Sequence, residues 1–75
     1  MMLGRVVATR GEVHLVVRPM VRVARLAEVP IADPRVTWRY WCFDTVEAAD
    51  LAARLWDGAP TTAPVGWVRF GGARP

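Results

Sequence analysis

Apolar and polar residues alternate with a period of two over most of this chain, and the period lengthens toward 3.6 once, between Thr45 and Asp57. Met2 to Thr9 reads as a first strand. Arg10-Gly11 is a turn, because Gly takes positive φ at no steric cost. Glu12 to Arg18 (Glu-Val-His-Leu-Val-Val-Arg) reads as a second strand that closes a hairpin with the first. Pro19 has no backbone donor, so it marks a bulge, an edge or the strand's end. Met20 to Val29 fits two patterns. Val21 to Ala24 alternates like a half-buried strand, whereas Val23, Leu26, Ala27 and Pro30 fit a short helix; the β-branched valines favour the strand. Pro30 to Asp33 is a loop.

Arg35 to Phe43 is the clearest strand and is expected to be central. Val36, Trp38, Tyr40 and Cys42 fall on one face; Arg35, Thr37, Arg39, Trp41 and Phe43 fall on the other. Asp44-Thr45-Val46-Glu47 has the form of a capping box with Asp44 as the cap. The helix is expected over Thr45 to Asp57, stopped by Gly58, with Glu47, Asp50, Arg54 and Asp57 as its polar stripe. Asp50 and Arg54 stand as an i,i+4 pair. Its apolar side is Val46, Ala49, Ala53 and Trp56, with Leu55 and Trp56 filling the far end. Ala59 to Val65 is a loop, Gly66 to Phe70 a last strand, and Gly71 to Pro75 a flexible tail. These elements predict an α+β fold: an antiparallel sheet of four to five strands with one helix on one face, β-β-β-β-α-β.

Seventy-five residues make one domain, 1–75. A chain of this size buries only about 60–65% of its unfolded surface. Cys42 is the one cysteine, so no intrachain disulfide staples the fold and a reducing compartment is expected. Apolar residues make up 53%, with four Trp, which leaves apolar surface for a partner. A homodimer would supply burial of that kind. The start lacks a charged segment followed by a long apolar run, and no run approaches the ~20 residues of a membrane span, so the expectation is a soluble, cytoplasmic protein away from membranes.

All ten cations are Arg; Lys, Asn, Gln and Ser are absent. A GC-rich genome explains this simply, although loss of Asn and Gln is also a thermophile habit. The charge is uneven. Asp44 to Gly58 holds four acids and one Arg, net −3, while the remaining residues hold nine Arg and three acids, net +6, giving the +3 of the whole chain. An acidic helix face (Glu47, Asp50, Asp57) therefore accompanies basic, Trp-rich strands.

Candidate chemistry is sparse. Cys42 and His14 could in principle act as nucleophile and base, but a thiol between aromatics in a strand reads as buried and inert, and His14 as a sheet-surface residue. One His and one Cys do not make a metal site, and no Gly-rich phosphate loop is present, so neither cofactor nor metal is expected. Two binding readings have more support. Arg planes and aromatic faces stack on unpaired bases, and Arg35, Arg39, Trp41 and Phe43 share a strand face, with Arg22, Arg25, Trp67 and Arg69 elsewhere in the strands. That face is free only if the helix covers Trp38 and Tyr40 instead. Exposed Trp, Tyr and Arg are equally the usual anchors of protein interfaces.

Arg39-Tyr40-Trp41-Cys42-Phe43-Asp44-Thr45, followed by Glu47-Ala48-Ala49, Trp56-Asp57-Gly58, Pro64 and Gly66-Trp67, resembles small uncharacterised proteins of phages and mobile elements of high-GC actinobacteria. The resemblance covers Arg35 to Phe70 and carries no activity to transfer. It implies a small accessory protein that binds a host factor. The expectation from sequence is thus a non-catalytic binding protein with a protein partner, or a second copy of itself. Single-stranded nucleic acid is the alternative.

Overall fold

Five strands and one helix form among the described residues. A computed structural model describes residues 4–75: β1 spans Arg5–Arg10, β2 Val13–Pro19, β3 Ala24–Pro30, β4 Arg39–Phe43, α1 Val46–Leu55 and β5 Arg69–Gly72. Met2 and Leu3 of the expected first strand lie outside the described residues. The strands pair antiparallel in chain order, β1-β2-β3-β4-β5, as a meander, and α1 lies across one face. The fold is the α+β arrangement that the alternation predicts.

One layer of side chains decides which face the helix takes. Partners directly opposite in a ladder share a face. Leu15 is opposite Glu28, Val17 opposite Leu26, and Leu26 opposite Trp41. Val13, Leu15, Val17, Ala24, Leu26, Trp41 and Phe43 thus form one continuous apolar surface, and Ala49, Ala52 and Ala53 bring α1 close down upon it. Trp56, just past the helix, meets Trp41 edge-to-face at 4.9 Å between centroids. Each large side chain buried here contributes roughly 1.5–3 kcal/mol.

A bulge in β1 fixes its arginines. The β1–β2 register shifts between Val6 and Ala8, leaving Val7 as an extra residue. Arg5 and Arg10 are five positions apart and would face opposite sides of a regular strand. With the bulge, Arg5 pairs with Val17 and Arg10 with Val13, so both face the helix. Arg5 binds Asp50, and Arg10 donates to the carbonyls of Arg54 and Trp56 at the end of α1, both at 3.1 Å. The stem of Arg10 presses on Gly58, where a Cβ would lie 2.7 Å from the Arg10 Cβ; Gly58 also has φ +78°.

Several boundaries differ from the sequence reading. Val21 and Arg22 are not in a strand: Met20 N–H donates to Val23 C=O at 2.8 Å, closing a tight turn, and β3 starts at Ala24. Arg35 to Trp38 belongs to the β3–β4 loop, and the middle strand is β3, with β4 one place off centre. Thr45, not Asp44, caps α1, its Oγ1 accepting from Ala48 N–H at 3.0 Å. With that cap the third helical position is Ala48, so Glu47 stands one residue too early to complete a capping box. Trp56 is the C-cap, which leaves Asp57 beyond the helix. Leu55, expected inside, is exposed. β5 runs two to three residues later than expected and takes in Gly71 and Gly72, assigned from sequence to the tail.

Candidate functional site

The arginines separate into those with partners and those without. Arg39 is the most committed. It lies on the helix side of β4, 7% exposed, beside Trp41 at 1% and Phe43 at 0%, so the expected basic-aromatic surface of Arg39, Trp41 and Phe43 is core. Its five N–H groups all have acceptors. Nε and Nη2 clamp Glu28 at 2.9 and 3.0 Å, Nη1 reaches the carbonyls of Pro60 and Thr62 at 3.0 and 3.3 Å, and Nη2 reaches Ala59 C=O at 3.2 Å. Its guanidinium centre lies 4.9 Å from the Trp41 ring and 5.3 Å from that of Trp56. Glu28, not singled out from the sequence, is fully buried, and Arg74 Nη1 also approaches its Oε2 at 3.4 Å. A signal for this pair was present: Glu28 alternates with Ala24 and Leu26, and Arg39 with Trp41 and Phe43, placing one charge on each of two apolar faces.

The loop that Arg39 fastens is held a second way. Trp56 Nε1–H donates to Thr62 Oγ1 at 2.8 Å, and that hydroxyl donates to Asp57 at 3.0 Å. The amide of Ala59 also donates to Asp57 at 3.0 Å. These bonds, the Ala59 amide first and the Thr62 hydroxyl second, hold the Asp57 carboxyl below the ordinary carboxylate range. Of the expected acidic helix face, Glu47 is exposed and has no side-chain partner among the described residues. Asp50 is occupied by Arg5 and, at 4.0 Å, by Arg54, and Asp57 serves the loop.

The face of the sheet away from α1 carries the unpartnered cations. Arg18 is opposite Arg25, Arg25 opposite Cys42, and Cys42 opposite Arg69, so three arginines lie in one row across β2 to β5. Three strand spacings make that row about 14 Å long. Arg18, Arg22, Arg25 and Arg69 form no ion pair or side-chain hydrogen bond among the described residues, whereas Arg5, Arg10, Arg35, Arg39, Arg54 and Arg74 all do. Arg25 Nε is buried without an acceptor. The Arg25 guanidinium stacks on Tyr40, 4.1 Å from its centroid, and the Tyr40 ring lies over Gly71, where no Cβ would fit. Among the described residues the one acid in any strand is Glu28, and it faces the helix. The charged strand residues of this open face are therefore all arginines among the described residues.

The other expected residues are scattered. Arg35 sits in the β3–β4 loop paired with Asp33 at 3.1 Å. Trp67 packs near Phe70 at 6.2 Å, and Phe70 in turn near Trp41 at 5.8 Å, so both border the helix side at the β5 edge, away from the arginine row. Arg22 tops the β2–β3 turn beside Val21, which is 97% exposed. Sequence reasoning missed Arg18 and Tyr40 as members of the basic face, because only the register shows that Arg18, Arg25 and Arg69 align.

Cys42 is buried in this row and makes no disulfide. His14 is bonded to Thr9 Oγ1 at 2.8 Å and pairs with Val29, four positions along β3 from the partner of Cys42, or roughly 13 Å. The two are not placed to exchange a proton. Among the described residues no three His, Cys, Asp or Glu side chains gather as a metal site, and no helix is long and apolar enough to cross a membrane. Compared with known protein families, curated proteins and solved structures, the chain matches none.

Proposed function

We propose that this protein works by binding rather than by catalysis, and that the open face of its sheet holds a single-stranded nucleic acid. The observation that carries this reading is the row Arg18–Arg25–Arg69 on a face where no described strand residue is acidic. Two arginines directly opposite each other in a ladder destabilise a sheet. A polyanion laid across the row relieves that repulsion. The stacked Arg25–Tyr40 pair offers a planar surface for an unpaired base. Stacking on base faces and contact with phosphates carry little sequence information, so sequence-tolerant binding follows.

Fluorescence anisotropy of labelled single- and double-stranded oligonucleotides at two salt concentrations tests this. Saturable binding is expected with preference for the single strand. Three phosphate contacts give a slope of log K against log salt of about −2. Arg18→Ala, Arg25→Ala and Arg69→Ala should each weaken binding and flatten the slope. No binding at low salt, or equal binding by the triple variant, rejects the proposal.

A further inference from the structure

α1 buries one apolar stripe on the sheet and exposes another. Leu51 is 59% and Leu55 77% exposed, and Val65 of the following loop is 87% exposed. Between the helix and that loop runs a groove of about 460 Å³, floored by Ala52 and Trp56 and walled by Pro64 and Val65. Its surroundings are acidic. Asp57 lines it, Glu47 stands one helical turn before Leu51 with no partner among the described residues, and exposed Asp44 precedes the helix. The nearby cation, Arg54, is drawn to Asp50.

We infer that this groove docks a partner protein through a short amphipathic segment, with aliphatic or aromatic anchors flanked by Arg or Lys. An apolar helix stripe beside a groove is the geometry that receives anchors spaced along one face of a peptide. The acids at both ends select basic flanks and steer encounter. A small ligand is a poorer fit, because the polar groups that would orient it are already paired: Trp56 Nε1 with Thr62, and Thr62 with Asp57. A two-fold dimer through the groove is also a poorer fit. A two-fold axis near the middle of the groove would set the Glu47 end of one copy against the Asp57 end of the other, acid against acid. The groove is on the opposite side of the molecule from the arginine row, so the inference does not rest on nucleic-acid binding.

The test is selection of a displayed random 12-residue peptide library on the full chain at low salt, followed by anisotropy titration of the enriched peptides. Enriched sequences should combine Leu, Ile, Phe or Trp with Arg or Lys. Leu55→Glu, at an exposed position whose change should leave the circular dichroism spectrum intact, should weaken them at least tenfold and leave oligonucleotide binding unaltered. Glu47→Arg and raised salt should each weaken them several-fold. The inference is overturned by no enrichment, by enriched peptides that are neutral or acidic, or by affinity that survives Leu55→Glu. It is equally overturned if the groove takes up only an uncharged apolar dye, or if the chain self-associates and Leu55→Glu abolishes that association, which would make the occupant a second copy.

Discussion

Arg39 and Arg25 lie on adjacent strands of one sheet and meet opposite fates. Arg39 points toward the helix, where burial makes an uncompensated charge intolerable, and its five N–H groups are all taken by Glu28 and three carbonyls. Arg25 points away, directly opposite another arginine, with its Nε unsatisfied. The first is what a folded chain needs in order to close its core. The second faces another cation and gains within the fold only its stacking on Tyr40, which is the pattern expected where a surface is kept for a ligand. An inventory of basic residues cannot separate the two, and neither can a strand's own alternation.

The largest consequence falls on the buried pair. Arg39→Met leaves Glu28 charged and enclosed, and should destabilise the protein by about 3–5 kcal/mol. The further substitution Glu28→Leu should recover most of that loss, because an apolar pair of similar volume avoids desolvation altogether. Urea unfolding of both variants measures it. If Arg39→Met costs under about 1 kcal/mol, Arg39 is not the fastening that its five bonds imply. Arg74, which also reaches Glu28, would then be the stronger partner.

A smaller effect distinguishes two readings of the helix start. Thr45→Ala removes the Oγ1 acceptor of Ala48 N–H and should cost about 1 kcal/mol. Asp44→Ala, at the position that the capping-box pattern selects, should change stability by no more than a few tenths. Thermal melts of the two single variants are enough, and a larger loss from Asp44 would return the cap to that residue.

The fold was readable because alternation and one 3.6-residue stretch are local properties. The face of β4 that the helix covers was not, since Trp38 and Tyr40 on one side are as apolar as Trp41 and Phe43 on the other. What decides it is the register that sets Leu15, Leu26 and Trp41 side by side, and register depends on turn lengths and on the β1 bulge. The site failed for the same reason. Arg25 and Arg69 were legible as basic residues in strands, but their alignment with Arg18 is a relation among three strands. Arg39 was misplaced because its strand shows two aromatic faces and only its neighbours say which is inside.

Acid should loosen the loop that Arg39 holds. The folded-state pKa of Asp57 is depressed by the Ala59 amide and the Thr62 hydroxyl. Its contribution to stability is therefore complete above the ordinary Asp value, near ~4, and is lost as pH falls through the lower folded value. Unfolding midpoints measured between neutral pH and pH ~3 should decline in wild type, and Asp57→Asn should show a shallower decline. An equal decline in both would assign the acid sensitivity to other carboxylates.

The smallest change in stability carries the sharpest sign. Arg18→Glu replaces a repulsive pair opposite Arg25 with an attractive one, and should stabilise the fold by a few tenths of a kcal/mol to about 1 kcal/mol. The same change puts a negative charge at the β2 end of the basic row, beside Arg25, and should weaken oligonucleotide binding at low salt by at least tenfold. A variant that folds better and binds worse is what a surface held out for a ligand predicts. If Arg18→Glu destabilises the protein, the row has a structural duty that the folded geometry does not disclose. If it stabilises the protein and leaves binding unchanged, the arginines of the open face are cations supplied by codon usage, and the face has no claim on nucleic acid.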